Sequence, residues 1–140
     1  MHKIGQQVGR ASVSIFGTDG IRGEASSFLS PELVVNIGYW FGLSSTENGP
    51  ILIGQDSRES GSMITSALTA GLNAAGKEVW LIGLCPTPAI PFLIKQLNAS
   101  GGLMVSASHN PPKDNGIKIF GSNGHKITIS QQKSIEKGLA

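Results

Sequence analysis

The chain has 140 residues, 39% of them apolar, which is enough to build one hydrophobic core and points to a single domain spanning 1–140. Charged residues make up only 14%, the net charge is +2, and the eleven lysines and arginines are scattered without a run of five, which argues against a nucleic-acid partner and leaves room for a small anion. One cysteine, Cys85, excludes an internal disulfide and a CxxC zinc pattern, and no apolar run approaches the ~18 residues of a membrane span, so a soluble cytoplasmic protein with no membrane partner is expected.

Residues 1–11 contain Lys3 and Arg10 and no apolar stretch, and are expected to be flexible. A first strand is predicted over Ser12–Phe16, ending in the loop Gly17-Thr18-Asp19-Gly20-Ile21-Arg22-Gly23, where three glycines in seven residues imply a shaped backbone. Ser30, Pro31 and Glu32 form a helix start, and Leu33, Ile37, Trp40, Phe41 and Ser44 share one face of the helix that follows.

Pro50 opens a second strand, Ile51–Ile53, followed at once by the polar loop Gly54–Gly61 with Asp56, Ser57 and Arg58. Met63–Ala75 has helical spacing at Ile64, Leu68, Leu72 and Ala75, with Gly76 as its left-handed cap. Glu78–Leu84 is a nearly continuous apolar run, expected for a strand covered on both faces, and buries Cys85 as an inert thiol beside it.

Thr87 and Pro88 start a third helix reaching Asn98, with Ile90, Leu93, Ile94 and Leu97 toward the core; Pro91 falls early enough for its missing N–H to be tolerated. Leu103–Val105 begins a fourth strand, Asn115-Gly116 reads as a turn, Ile117–Phe120 as a short extended segment, and Ser130 as the cap of a final helix over Gln131–Leu139. This alternation is that of an α/β domain.

In open α/β sheets ligands bind beyond the carboxyl ends of the strands. The chemistry-bearing residues collect in three such loops: Thr18, Asp19 and Arg22; Asp56, Ser57 and Arg58; and Ser106, Ser108, His109, Asn110, Lys113 and Lys118. In the third loop an apolar strand delivers small residues, Ser106-Ala107-Ser108, into His109-Asn110-Pro111-Pro112. Phosphoryl transfer needs an oxygen nucleophile and cations to spread charge, and Ser108, Arg22 and Lys118 are of the right types. A Ser-His-Asp hydrolase is disfavoured because adjacent side chains in an extended segment diverge and no G-x-S-x-G elbow surrounds Ser108. The bland readings stand beside this one: Asn-Pro, Pro-Pro and Asn-Gly are ordinary turn signals, Asp56 and Arg58 form a plausible surface pair, and Gly17–Gly23 matches neither phosphate-loop pattern.

Three segments together, Phe16–Gly23, Gly54–Gly61 and Val105–Lys118, resemble the first domain of the α-D-phosphohexomutases, and most closely its glucosamine branch. That resemblance implies a three-layer α/β/α sandwich with a mixed, mostly parallel four-stranded sheet. It further implies a phosphorylated Ser108 that interconverts glucosamine 6-phosphate and glucosamine 1-phosphate through a sugar bisphosphate. Arg22, Lys118 and His109 would serve the transfer centre; Thr18, Asp19, Asn110 and Arg58 would bind substrate or shape the loops. Magnesium would be the cofactor, taking one oxygen from the Ser108 phosphate. The family's enzymes have four domains, so the others would be partners, and this chain is expected to be inactive alone. A non-catalytic phosphate-binding or docking module, or a phosphomannomutase or phosphoglucomutase relative, is the alternative.

Overall fold

A computed structural model describes residues 13–140. Five strands, β1 (Ile21–Glu24), β2 (Ile51–Gln55), β3 (Val79–Leu84), β4 (Gly101–Val105) and β5 (Asp114–Gly121), form one sheet in the order β1-β5-β4-β2-β3. Between and after them run the helices α1 (Pro31–Ser44), α2 (Gly61–Ala74), α3 (Ala89–Leu97) and α4 (Ile129–Leu139). β2 pairs in parallel with β3 and β4, whereas β5 pairs antiparallel with both β4 and β1. The sheet is therefore mixed, but it has five strands, not four, and its pairings divide evenly, not mostly parallel.

The period-2 alternation of the inner strands sends neighbouring residues to two cores. Ile51, Ile53, Leu103, Val105, Ile117 and Ile119 face α1, α2 and α4 in the larger one. Leu52 and Met104 face Ile90 and Ile94 of α3 in the smaller. The layers are thus three helices, the sheet, and one helix, as the resemblance implied.

α1 begins where the sequence places it, with the Ser30 hydroxyl accepting a hydrogen bond from the Leu33 N–H at 3.2 Å. Its crossing with α2 is very close: a Cβ on Gly71 would lie 2.0 Å from the Val35 carbonyl oxygen and 2.7 Å from the Tyr39 nitrogen. Helix propensity alone makes Gly71→Ala stabilising by about 1 kcal/mol. Backbone overlap has to win here, so Gly71→Ala is expected to cost about 3 kcal/mol net in a urea unfolding curve. An unchanged or raised midpoint would contradict so tight a crossing.

Four local expectations need correction. Ser12 lies outside the described residues, as does the segment 1–11 for which flexibility was expected; Val13–Phe16 is not a strand. The Ile15 and Phe16 N–H groups donate to the Glu136 carboxylate of α4, at 2.8 and 3.2 Å, instead of to a neighbouring strand. β3 is not covered on both faces: it is the sheet edge, with Leu81 62% and Leu84 71% exposed, because an unbroken apolar run does not by itself distinguish an edge strand from a central one.

Asn115-Gly116 is no turn but the interior of β5. The buried Asn115 amide donates to the Ser60 hydroxyl at 2.9 Å and accepts from the Gly116 N–H at 2.8 Å, so its polarity is absorbed within the strand. Finally, α4 is capped by Thr128 and not Ser130. A capping box with Gln131 starts the helix at Ile129, and Ile135 anchors it in the core.

Cys85 is half-buried and unpaired, and burial pushes its thiol pKa up. Its thiolate fraction at pH 8 is accordingly below that of an ordinary thiol, and iodoacetamide should alkylate it more slowly than a small free thiol. Equal or faster alkylation would contradict this environment. No helix among the described residues is long and apolar enough to cross a membrane.

Candidate active site

β4 and β2 end side by side, Val105 opposite Gln55, so the loops that leave them share one sheet edge. The Ser106 N–H is still held in register by the Gly116 carbonyl at 2.9 Å, and Ala107 is fully buried. Ser108 then turns out into solvent with φ of +52°, one of three described non-glycine residues in the left-handed region. That backbone costs about 1 kcal/mol for an L-residue. Its N–H is met by the Ser106 hydroxyl at 3.1 Å, and the Asn110 N–H closes a turn on the Ala107 carbonyl at 3.0 Å.

Arg22 reaches this turn from β1, where it lies opposite Gly116 of β5. The approach requires glycine: a Cβ at 116 would fall 2.9 Å from the Arg22 Cγ and 2.6 Å from the Ser106 carbonyl oxygen. The Arg22 Nη2 donates to the Ser108 hydroxyl oxygen at 3.3 Å and Nη1 to the Asn110 side-chain oxygen at 3.2 Å. Its Nε is buried with no partner among the described residues, an uncompensated donor beside the serine.

Arg58 approaches from the β2 loop and places its five N–H donors on protein acceptors. Nε pairs with the Asp56 carboxylate at 3.3 Å; Nη1 meets the Pro111 and Asp114 carbonyls at 2.6 and 3.0 Å; Nη2 meets those of Ser108 and Asn110 at 2.8 and 3.0 Å. The Asn110 amide also donates to the Asp114 carboxylate at 3.2 Å. Lys113 is paired with Glu24 at 3.5 Å, an exposed pair worth little to stability. The Ser27 hydroxyl, and then Lys113, hold the Glu24 pKa below the usual carboxylate value.

The remaining candidates form a second group. Lys118 is two residues from Gly116 on the face of β5 that Arg22 shares, and its side chain lines a cleft of about 290 Å³ with Thr18, Asp19, Phe16 and Pro88. None of Lys118, Thr18 and Asp19 hydrogen-bonds to Ser108, and Lys126 fixes their loop by donating to the Thr18 carbonyl at 3.1 Å. His109 is exposed next to Ser108. The geometry thus unites Ser108, Arg22, Asn110 and Arg58 directly, with Thr18, Asp19 and Lys118 in the neighbouring cleft.

Glu136 and Lys126, which tie down the segment leading to Arg22, carry no local signal in the sequence because their partners lie more than 100 residues away. Magnesium prefers several hard oxygen ligands, and no group of three or more Asp, Glu, His or Cys among the described residues could hold a metal ion. The residues present do not by themselves fit a resident ion.

The sequence model of the family described as phosphoglucomutase/phosphomannomutase, alpha/beta/alpha domain I, matches residues 13–140. The chain belongs to this family. Among phosphohexomutase relatives, a protein named phosphoglucosamine mutase from Prochlorococcus marinus (strain MIT 9303) is 59% identical over 136 residues, covering 97% of this chain and 29% of the relative. One of the same name from Synechococcus sp. (strain CC9902) is 60% identical over 136 residues, with the same shares covered. A solved structure from Thermus thermophilus, provisionally assigned as a phosphomannomutase, superposes with a TM-score of 0.82 at 32% identity, covering 92% of this chain and 30% of that one. The chain therefore spans under a third of the length of the curated relatives it matches.

Proposed function

We propose that this chain is the phosphoserine domain of a phosphosugar mutase, an isomerase interconverting glucosamine 6-phosphate and glucosamine 1-phosphate. The observation that carries the reading is the exposed Ser108 hydroxyl, held at positive φ with the Arg22 guanidinium against it. The glucosamine preference is supported by relatives named phosphoglucosamine mutase at 59–60% identity.

In this reading Ser108 carries a phosphoryl group. Transfer breaks the bond from phosphorus to Ser108 Oγ and forms one to the free hydroxyl oxygen of the sugar monophosphate, whose proton is taken up as the serine hydroxyl is restored. The sugar bisphosphate then returns its other phosphoryl group to Oγ by the same exchange in reverse. Arg22 spreads charge on the transferring oxygens. Lys118 and His109 provide further charge and proton handling, and Thr18, Asp19 and Asn110 shape the approach. A magnesium ion would take one oxygen from the Ser108 phosphate and its other ligands from outside the described residues. The other domains of the mutase are the partners this reading requires, and cytoplasmic amino-sugar biosynthesis is the setting its substrates imply.

Peptide mapping by tandem mass spectrometry of a longer protein that carries this domain together with the mutase's other domains, purified without phosphatase, tests the reading. Phosphate is expected on the peptide containing Ser108; phosphate confined to another residue would contradict it. The purified chain alone is expected to show no turnover of glucosamine 6-phosphate with magnesium and a sugar bisphosphate, and robust turnover would refute its dependence on further domains.

A further inference from the structure

We propose that Arg58 is the positioning residue of the Ser108 loop and does not bind phosphate, an inference that rests on the reading of Ser108 above. A guanidinium carries five N–H donors in a fixed plane, one on Nε and two on each Nη. Here Nε serves Asp56, Nη1 serves the Pro111 and Asp114 carbonyls, and Nη2 serves those of Ser108 and Asn110. All five donors are engaged within the protein, the side chain is only 11% exposed, and Asp56 offsets its charge. Nothing of this cation is left for an incoming phosphate.

The loop needs such an outside donor. Pro111 and Pro112 have no N–H, so the segment is poor in backbone donors for its own carbonyls. Parallel pairing of β2 with β4, continued by the Asp56 N–H on the Val105 carbonyl at 3.0 Å, carries the β2 loop alongside the Ser108 loop. The Asp56 carboxylate then fixes both the Arg58 N–H, at 3.1 Å, and its Nε. Four carbonyls are drawn to one planar fork, and Ser108 is left at φ +52° with its hydroxyl turned toward Arg22. Division of labour follows: Arg58 builds the loop, and Arg22 meets what the loop carries. A lysine at 58 would keep the charge but lose the fork.

The test compares Arg58→Lys and Arg58→Ala with the unmodified chain by NMR, amide exchange and intact mass. A strong intraresidue N–H to Hα contact reports positive φ at Ser108. Both variants are expected to lose it, to exchange the Ser108 and Asn110 amides ~10-fold faster, and to lose Ser108 phosphate equally, with β2 and β4 amides still protected. Asp56→Asn, which leaves the four carbonyl bonds possible, is expected to keep the loop signature. Retention of signature and phosphate by Arg58→Lys would overturn the proposal, since charge and not the fork would then suffice. So would a loop lost in Asp56→Asn yet kept in Arg58→Lys. A longer protein carrying this domain together with the mutase's other domains that never holds phosphate on Ser108 speaks against the mutase reading, whereas the NMR and exchange arm decides the role of Arg58.

Discussion

Ser108→Ala is expected to abolish phosphate incorporation while leaving the protein folded. The loss should be complete because the hydroxyl oxygen is the atom that would carry the phosphoryl group. Stability should change by less than about 1 kcal/mol, since only the 3.3 Å contact with Arg22 is lost. The Ser108 N–H would still be met by Ser106, and the Arg58 contacts use carbonyls that alanine also has. Intact mass together with thermal unfolding checks both parts. Phosphate persisting at wild-type occupancy in the variant would place it elsewhere, and a large loss of stability would mean that the hydroxyl is structural.

Gly20→Ala should have the other large effect, on fold and site together. Gly20 has φ of +90°, and a Cβ there would lie 2.4 Å from the Ile117 carbonyl oxygen, a backbone atom. Next to it Ile21 pairs with Ile117, so relieving the overlap means opening the β1–β5 ladder that aims Arg22. Backbone strain and overlap together are expected to cost about 3–4 kcal/mol. Gly76→Ala is the matched control. Its φ is +84°, but nothing lies within 4 Å of the added methyl, so only the backbone cost of about 1–2 kcal/mol is expected. Equal urea midpoints for the two variants would show that close packing at Gly20 contributes nothing.

The parts of this account that the sequence made legible are the contiguous ones. Ser30-Pro31-Glu32 marked α1 because a helix start is written in adjacent residues, and the Val105–Lys118 segment announced the serine loop for the same reason. Arg58 was harder, since its donors serve carbonyls 50 or more residues away and a surface pair with Asp56 was an equally good local reading. β3 misled because a nearly continuous apolar run looks alike at an edge and at a centre; only the strand order separates the two. Asn115-Gly116 misled in the opposite direction, a turn dipeptide whose polar side chain is satisfied by Ser60 across the fold. Ile15 and Phe16 lost their expected strand to a carboxylate in the last helix.

The central claim is that Ser108 carries a phosphate beside Arg22 in a loop built in advance to hold it. A ³¹P NMR pH titration of the phosphorylated chain measures this most directly. A guanidinium next to the phosphate favours its dianion, so the second pKa of the phosphoserine should lie below the ordinary value of about 6 and return toward it in Arg22→Ala. A phosphoserine that titrates as it does in an unstructured peptide, unmoved by Arg22→Ala, would contradict the account.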